Sequence, residues 1–156
     1  MPSAILTKLQ QITDQVIVDR DAQPISDGEA RLAIRQFALT ANNVTYAATG
    51  FDIGYWQFFP TGDPDRGIVP VWGFAEVVET RSDAAPLGAR FYGFYPMAEE
   101  LVIRPEATPS RTIRDASPHR AELPLVYNLY VPAAPAPTPQ EPYQALLQPL
   151  IATTWH

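Results

Sequence analysis

Few side chains in this 156-residue sequence stand in patterns that perform chemistry. His119 has the reference pKa of a proton carrier near neutral pH, yet it follows Ser117-Pro118 in a polar loop with no paired partner, so it reads as a surface or structural histidine. Asp63 and Asp65 lie in a Gly/Pro loop without the ligand series of an EF-hand and read as solvated turn residues. Ser26, Ser82, Ser110 and Ser117 occupy no Gly-x-Ser-x-Gly elbow, which leaves a serine hydrolase without support. Cysteine is absent, and with it go thiolate nucleophiles, zinc–thiolate sites and iron–sulfur ligation. No Gly-x-Gly-x-x-Gly occurs, so a dinucleotide has no cradle of that kind. What remains is aromatic and amide chemistry. Tyr55, Trp56, Phe58 and Phe59 form a cluster suited first to core or interface packing and second to stacking a flat apolar ligand. Asn42-Asn43 read first as amides that close a turn.

The elements that must position these groups are mostly strands. Ile5–Leu9 and Gln15–Val18 read as strands, and Pro24, Asp27 and Gly28 make a turn after them. Glu29-Ala30-Arg31-Leu32-Ala33-Ile34-Arg35 then alternates charged and apolar residues with period two, as a half-buried antiparallel strand requires, and Phe37–Leu39 extends it. Val44–Thr49 reads as one or two helical turns ended by Gly50. Val69–Val78, Leu87–Phe94 and Met97–Ile103 are apolar runs separated by short polar or glycine-bearing turns, the order a strongly bent β-barrel needs. Thr61–Gly67 is a loop by composition, and Pro105–Pro118 is polar and proline-bearing. Ala121–Tyr130 is helix or strand, and periodicity alone does not decide. Pro132–Pro139 has prolines too dense for helix or sheet and is expected to be extended and exposed. Tyr143, Leu146, Leu147, Leu150 and Ile151 recur at helical spacing, with Pro149 expected to cut or kink the helix.

The length suits one domain, which at this size buries about 68–70% of its unfolded surface. A formal charge of −6 and a pI near 4.8, with the basic residues scattered, argue against a nucleic-acid partner. Met1–Asp19 carries Lys8, Asp14 and Asp19 and lacks the apolar centre of a signal peptide, and no segment reaches the roughly 18–20 apolar residues that cross a bilayer. The expectation is a cytoplasmic protein with no membrane partner.

Several landmarks resemble the N-terminal, GroES-like domain of the medium-chain dehydrogenase/reductase superfamily. They are Gly28-Glu29, Asn42-Asn43, Pro70 before Phe74-Ala75-Glu76-Val77-Val78, Gly88-Ala89-Arg90-Phe91-Tyr92-Gly93-Phe94, and Ala98-Glu99-Glu100-Leu101-Val102. A longer resemblance is carried by Phe37–Ala47, Gly54–Pro60, Val69–Glu76 and His119–Asn128. Through these stretches the chain is similar to an uncharacterised bacterial branch of that superfamily, labelled a domain of unknown function, whose members also contain a Rossmann domain. The resemblance implies a mainly β fold with short helices, a GroES-like partly open β-barrel over residues 1–131. A Pro/Ala-rich loop over 132–142 and a helical segment over 143–156 would follow, leading into a nucleotide-binding domain that this sequence lacks.

The departures from the superfamily narrow the expected activity. With Phe74-Ala75 as anchor, the histidine that binds catalytic zinc in some members falls on Trp72, which cannot ligate zinc, and no cysteine supplies the other ligands. The resemblance therefore points to the zinc-independent, quinone-oxidoreductase-like members, and no metal is expected. In those proteins a Thr-Tyr-x-x-x-Gly tyrosine lies near the nicotinamide, and Thr45-Tyr46 followed by Gly50 matches it. Tyr46 is thus the expected catalytic contact, as a hydrogen-bond donor or a lid on the ring. Asn42 or Asn43, Tyr55, Trp56, Trp72 and Tyr95 would line the substrate cleft. The implied function is the substrate side of an NADP(H)-type reductase of enones, quinones or aldehydes, incomplete by itself, with no cofactor bound by this chain alone. Leu146, Leu147, Leu150, Ile151 and Trp155 would then be partly orphaned apolar surface, expected to meet a second copy or a missing Rossmann domain. The alternative is a stand-alone barrel that binds a small molecule or a protein and catalyses nothing.

Overall fold

Strands carry the architecture in the computed structural model, which describes residues 2–153 and, for Ile53 and residues 150–153, the backbone alone. β1 (Ser3–Lys8) and β2 (Gln11–Asp19) form an antiparallel hairpin, and β4 (Arg66–Gly67) adds to the other edge of β1. The larger sheet is built from β3 (Ala30–Ala38), β5 (Pro70–Thr80), β6 (Arg90–Pro96), β7 (Glu100–Ile103), β8 (Pro105–Ala107), β9 (Ile113–Asp115) and β10 (Leu129–Pro132). Its order is β7-β3-β5-β6-β10-β9-β8, antiparallel throughout, and it curls into a nearly closed, barrel-like wall. The hairpin is tied to this wall by backbone bonds from Ile5 N to Met97 O and from Glu99 N to Ser3 O. The fold is mainly β, with helices α1 (Ala41–Ala48), α2 (Gly50–Ile53), α3 (Leu125–Asn128) and α4 (Glu141–Thr153).

The three apolar runs of the sequence become β5, β6 and β7. Alternation along β5 and β6 sends Val71, Val77, Phe91 and Tyr95 into one buried layer, joined by Leu32, Ile103 and Tyr130. Trp72, Phe74, Tyr92 and Phe94 lie on the other face in cross-strand pairs, Trp72 opposite Phe94 and Phe74 opposite Tyr92. Gly73 lets β3 approach β5 closely, because a Cβ there would lie 2.0 Å from the Gln36 carbonyl oxygen.

Local differences from the sequence expectation have identifiable causes. The period-two reading of β3 places Arg31 in solvent, but Arg31 is buried beside Ala30 and Leu32. A register shift between Arg31 and Leu32 interrupts the alternation, and the guanidinium is neutralised by Glu79 at 3.0 Å and Glu100 at 3.2 Å. Gly50 does not end the first helix; it opens α2, and the left-handed turn falls on Gly54 at φ 84°. Gly50 is required for space instead, since the Trp56 indole lies 2.1 Å from where its Cβ would be. The polar stretch 105–118 contains β8 and β9, too short to register as periodicity. Residues 121–130 resolve into both alternatives, α3 followed by β10. Residues 134–137 are exposed, as their prolines suggest. α4 continues past Pro149 to Thr153 rather than stopping there. The side chains of Leu150 and Ile151, and all of Trp155, lie outside the described residues.

Candidate functional site

The face of β5 and β6 that carries Trp72, Phe74, Tyr92 and Phe94 is where the helices gather. α1 begins at Thr40, whose hydroxyl accepts from Asn42 N at 3.2 Å, while the Asn43 side chain accepts from Thr40 N at 2.7 Å. This reciprocal capping is why the chain turns into a helix here, and it makes the asparagines helix-starting residues. Asn43 also donates from Nδ2 to the Pro70 carbonyl at 2.9 Å, fastening α1 to the start of β5. Tyr46, one turn further along, is thereby aimed at the barrel face and is buried.

The Tyr46 hydroxyl accepts a hydrogen bond from Trp72 Nε1 at 3.3 Å. Its own proton has no acceptor among the described residues. The Tyr46 ring packs on Tyr55 with centroids 4.6 Å apart, and the Tyr55 and Tyr127 hydroxyls are hydrogen-bonded at 3.1 Å. Phe94 underlies the group, 4.7 Å from Tyr127 and 5.2 Å from Trp72. Between α1 and α4 a crevice of about 10 Å³ remains, with Asn42, Asn43, Tyr46 and Trp72 on one side and Ala145, Leu146 and Pro149 on the other. That volume holds one water, about the size of a single probe sphere.

The electrostatics of this group are those of neutral donors. Burial raises the Tyr46 phenol pKa, with the Trp72 hydrogen bond acting in the opposite direction, and burial raises the Tyr55 phenol further. The phenols therefore stay protonated at physiological pH. They can donate to a carbonyl oxygen, and they offer no base for abstracting a proton.

The structure brings Asn42, Asn43, Tyr46 and Trp72 together and places Tyr55 directly behind Tyr46. Tyr95 is placed elsewhere, fully buried beneath the sheet, donating to the Phe91 carbonyl at 2.9 Å and packed on Tyr130. Trp56 is wedged between Gly50 and Gly67, its Nε1 without a partner among the described residues. His119 lies at a different and larger cleft, of about 310 Å³, where Nε2 meets the Phe58 carbonyl at 3.2 Å and Arg31 and Glu100 form part of the wall.

Sequence reasoning missed two buried ionic clusters. Arg120, fully buried, donates to Asp115 at 2.9 Å, Asn128 at 2.7 Å, Tyr130 at 2.7 Å and the Tyr127 carbonyl at 2.6 Å, with its guanidinium over Phe58 and Phe59. Arg90 makes a bidentate pair with Glu141, both bonds 2.8 Å, and donates to the Ala134 carbonyl at 2.9 Å. No spacing pattern joins Arg90 to Glu141 across 51 positions or marks the shorter-range Arg120 partners as buried, and an isolated arginine reads as surface.

Residues 37–156 match a family described as a protein of unknown function, DUF2855. The chain belongs to this family. The DUF2855 match includes α1, β5, β6, the Arg120 cluster and α4, and so contains every part of the crevice; the β1–β2 hairpin and most of β3 precede it. No curated protein matches the chain. Among the described residues of this DUF2855 protein no group of three or more His, Cys, Asp or Glu could hold a metal ion, and no helix is long and apolar enough to cross a membrane.

Proposed function

We propose that this chain is the substrate-binding, GroES-like part of a zinc-independent reductase. Its crevice accepts a small, flat, largely apolar molecule bearing a carbonyl, such as an enone, a quinone or an aldehyde. The observation that carries the reading is the Tyr46 hydroxyl, which is held from one side by Trp72 Nε1 and has a proton left to donate within an aromatic enclosure. A carbonyl oxygen is the acceptor such a donor suits, and aromatic walls suit a flat conjugated body. Trp72 itself acts through its indole N–H, a role unrelated to the metal ligation its position would otherwise suggest.

The described residues do not fit a nicotinamide dinucleotide. All paired strands are antiparallel, so the parallel strand–loop–helix unit that cradles a pyrophosphate is missing among them. The start of α4 is already occupied by the Glu141 carboxylate and its arginine. No hydride step is therefore assigned to this chain. Its contribution is to bind the substrate, orient the carbonyl and exclude water.

The test is quenching of tryptophan fluorescence by 9,10-phenanthrenequinone, with phenanthrene as the carbonyl-free control. Saturable quinone binding is expected, weakened about fivefold to tenfold by Tyr46→Phe, the value of one neutral hydrogen bond, with phenanthrene affinity unchanged. Absence of saturable quinone binding by the natural chain, or NADPH oxidation by it, sinks the reading.

A second reading, an interaction barrel, is favoured by one observation. α4 buries Glu141 and Ala145 against the sheet and leaves Tyr143, Leu146 and Leu147 exposed. Such an apolar row fits an interface with a second copy. Light scattering checks it: a dimer that Leu147→Glu dissociates is expected, and a monomer at high micromolar concentration contradicts it.

A further inference from the structure

One group on the site face has no structural explanation. Tyr92 is 3% exposed, and its hydroxyl has no hydrogen-bond partner among the described residues. A buried phenol left in that state carries an uncompensated desolvation penalty, which phenylalanine at the same position would not incur. Packing needs the ring, which stacks on Trp72 at 5.8 Å and 21° and packs against Phe74 at 5.2 Å. Packing gains nothing from the oxygen.

The surroundings of Tyr92 indicate what the oxygen is for. Its cluster comprises Phe74 and Ala145, with Ala38 and Trp72 packed against them, and Ala38, Trp72 and Ala145 also line the crevice beside Tyr46. Tyr92 thus adjoins the same Trp72 indole that bonds the Tyr46 hydroxyl, in one cluster with Ala145 of the α4 segment that closes the crevice. After burial, the neighbouring Tyr46 is the next cause that raises the Tyr92 pKa. Both remain protonated donors, and neither has an acceptor for its proton.

Resting on the substrate-binding reading above, we infer that Tyr92 is a second ligand contact, donating with Tyr46 to the oxygen functions of the bound molecule once α4 shifts to admit it. Two donors that contact one indole suit a molecule with two oxygen acceptors on one edge of a flat body. This favours ortho-quinones and 1,2-dicarbonyl compounds over simple aldehydes. The crevice as it stands admits only a water, so the ligand must displace α4 around Ala145 and Leu146. The exposed 134–137 stretch before α4 gives the chain length to do so.

The experiment compares Tyr92→Phe with Tyr46→Phe for 9,10-phenanthrenequinone, cyclohexanecarboxaldehyde and phenanthrene, with thermal melts of each variant. Tyr92→Phe is expected to melt at or above the natural chain, to lose fivefold to tenfold in quinone affinity, and to bind phenanthrene as before. Affinity for the monocarbonyl aldehyde should fall with Tyr46→Phe alone. Labelling tyrosine with ¹³C at Cζ adds a readout without mutation: quinone should shift two tyrosine signals, those that vanish in the two variants. Natural-chain binding that Tyr46→Phe weakens and Tyr92→Phe leaves unchanged overturns this inference and spares the function proposed above. Equal losses for quinone and phenanthrene in Tyr92→Phe also overturn it, because they mark a change of shape. No quinone binding at all overturns both.

Discussion

Replacing Arg120 with alanine is expected to destabilise the protein by about 3–5 kcal/mol, the usual cost of removing one partner of a buried ion pair. Arg120 is the largest fully buried side chain among the described residues, and truncation strands several groups at once. Asp115, 1% exposed, would keep an uncompensated charge, and the Asn128 and Tyr130 side chains and the Tyr127 carbonyl would each lose a donor. The cavity left between Phe58, Phe59 and Tyr130 adds to the loss. For a domain of this size each kcal/mol lowers Tm by about 2–4 °C, so a fall of roughly 10–15 °C is expected in a thermal melt followed by circular dichroism. A fall under about 3 °C would show that water enters and solvates Asp115, contrary to this account. The Tyr130 phenol, raised to about 12 by burial, stays neutral, and no protonation state of a phenol replaces the lost cation.

The second large effect is local. Glu141→Gln should release α4 from the sheet while the barrel remains folded. Arg90 and Glu141 are 6% and 4% exposed, and the pair is the polar anchor of a helix otherwise held by small apolar contacts such as Ala145. Breaking a buried pair costs about 3–5 kcal/mol, and because α4 packs on β3 and β5 without contributing a strand to the sheet the cost is met by undocking rather than by global unfolding. The undocked population should rise by about two to four powers of ten. The checks are faster proteolysis between residues 132 and 140, a red shift of tryptophan emission as Trp72 meets water, and binding of a dye for apolar surface. Unchanged proteolysis would mean that apolar contacts alone hold α4.

The same pair sets a pH dependence of definite sign. Hydrogen bonds from Arg90 hold the Glu141 carboxyl below its ordinary value of 4.5. A lowered folded-state pKa contributes stability above the unfolded value and loses it as the pH falls through the folded value. Docking of α4 should therefore weaken in acid below about pH 4.5, and Glu141→Gln should abolish that dependence. If Tyr92 lies in the binding site, loosening α4 also eases quinone entry, so Glu141→Gln should speed association even while it destabilises the helix.

Much of the barrel was legible because its signals are local. The runs that became β5, β6 and β7 carry their apolar residues at strand spacing, whereas the helix start that Thr40 and Asn43 form reads in the sequence as a turn, because Asn favours both. Tyr46 and Trp72 could be singled out as residue types. Their hydrogen bond could not, because it joins α1 to β5 across 26 positions. Arg31 illustrates the limit from the other direction: its local pattern points to solvent, and two glutamates from neighbouring strands take it inside.

What the sequence determines alone is which chemistries lack their residues. The absence of cysteine and the lack of a glycine-rich phosphate loop are properties of composition and short spacing, and they remove thiolate chemistry and that kind of dinucleotide cradle. What only the tertiary structure decides is which donors stand together. Trp72 and Tyr92 are set on one face by strand register, Tyr46 is brought to it by α1, and α4 is laid over them by an arginine and a glutamate 51 positions apart. The physical reason is that a buried charge or phenol is set by what desolvates and neutralises it, and those partners are supplied by strand pairing and helix docking rather than by neighbours in the chain.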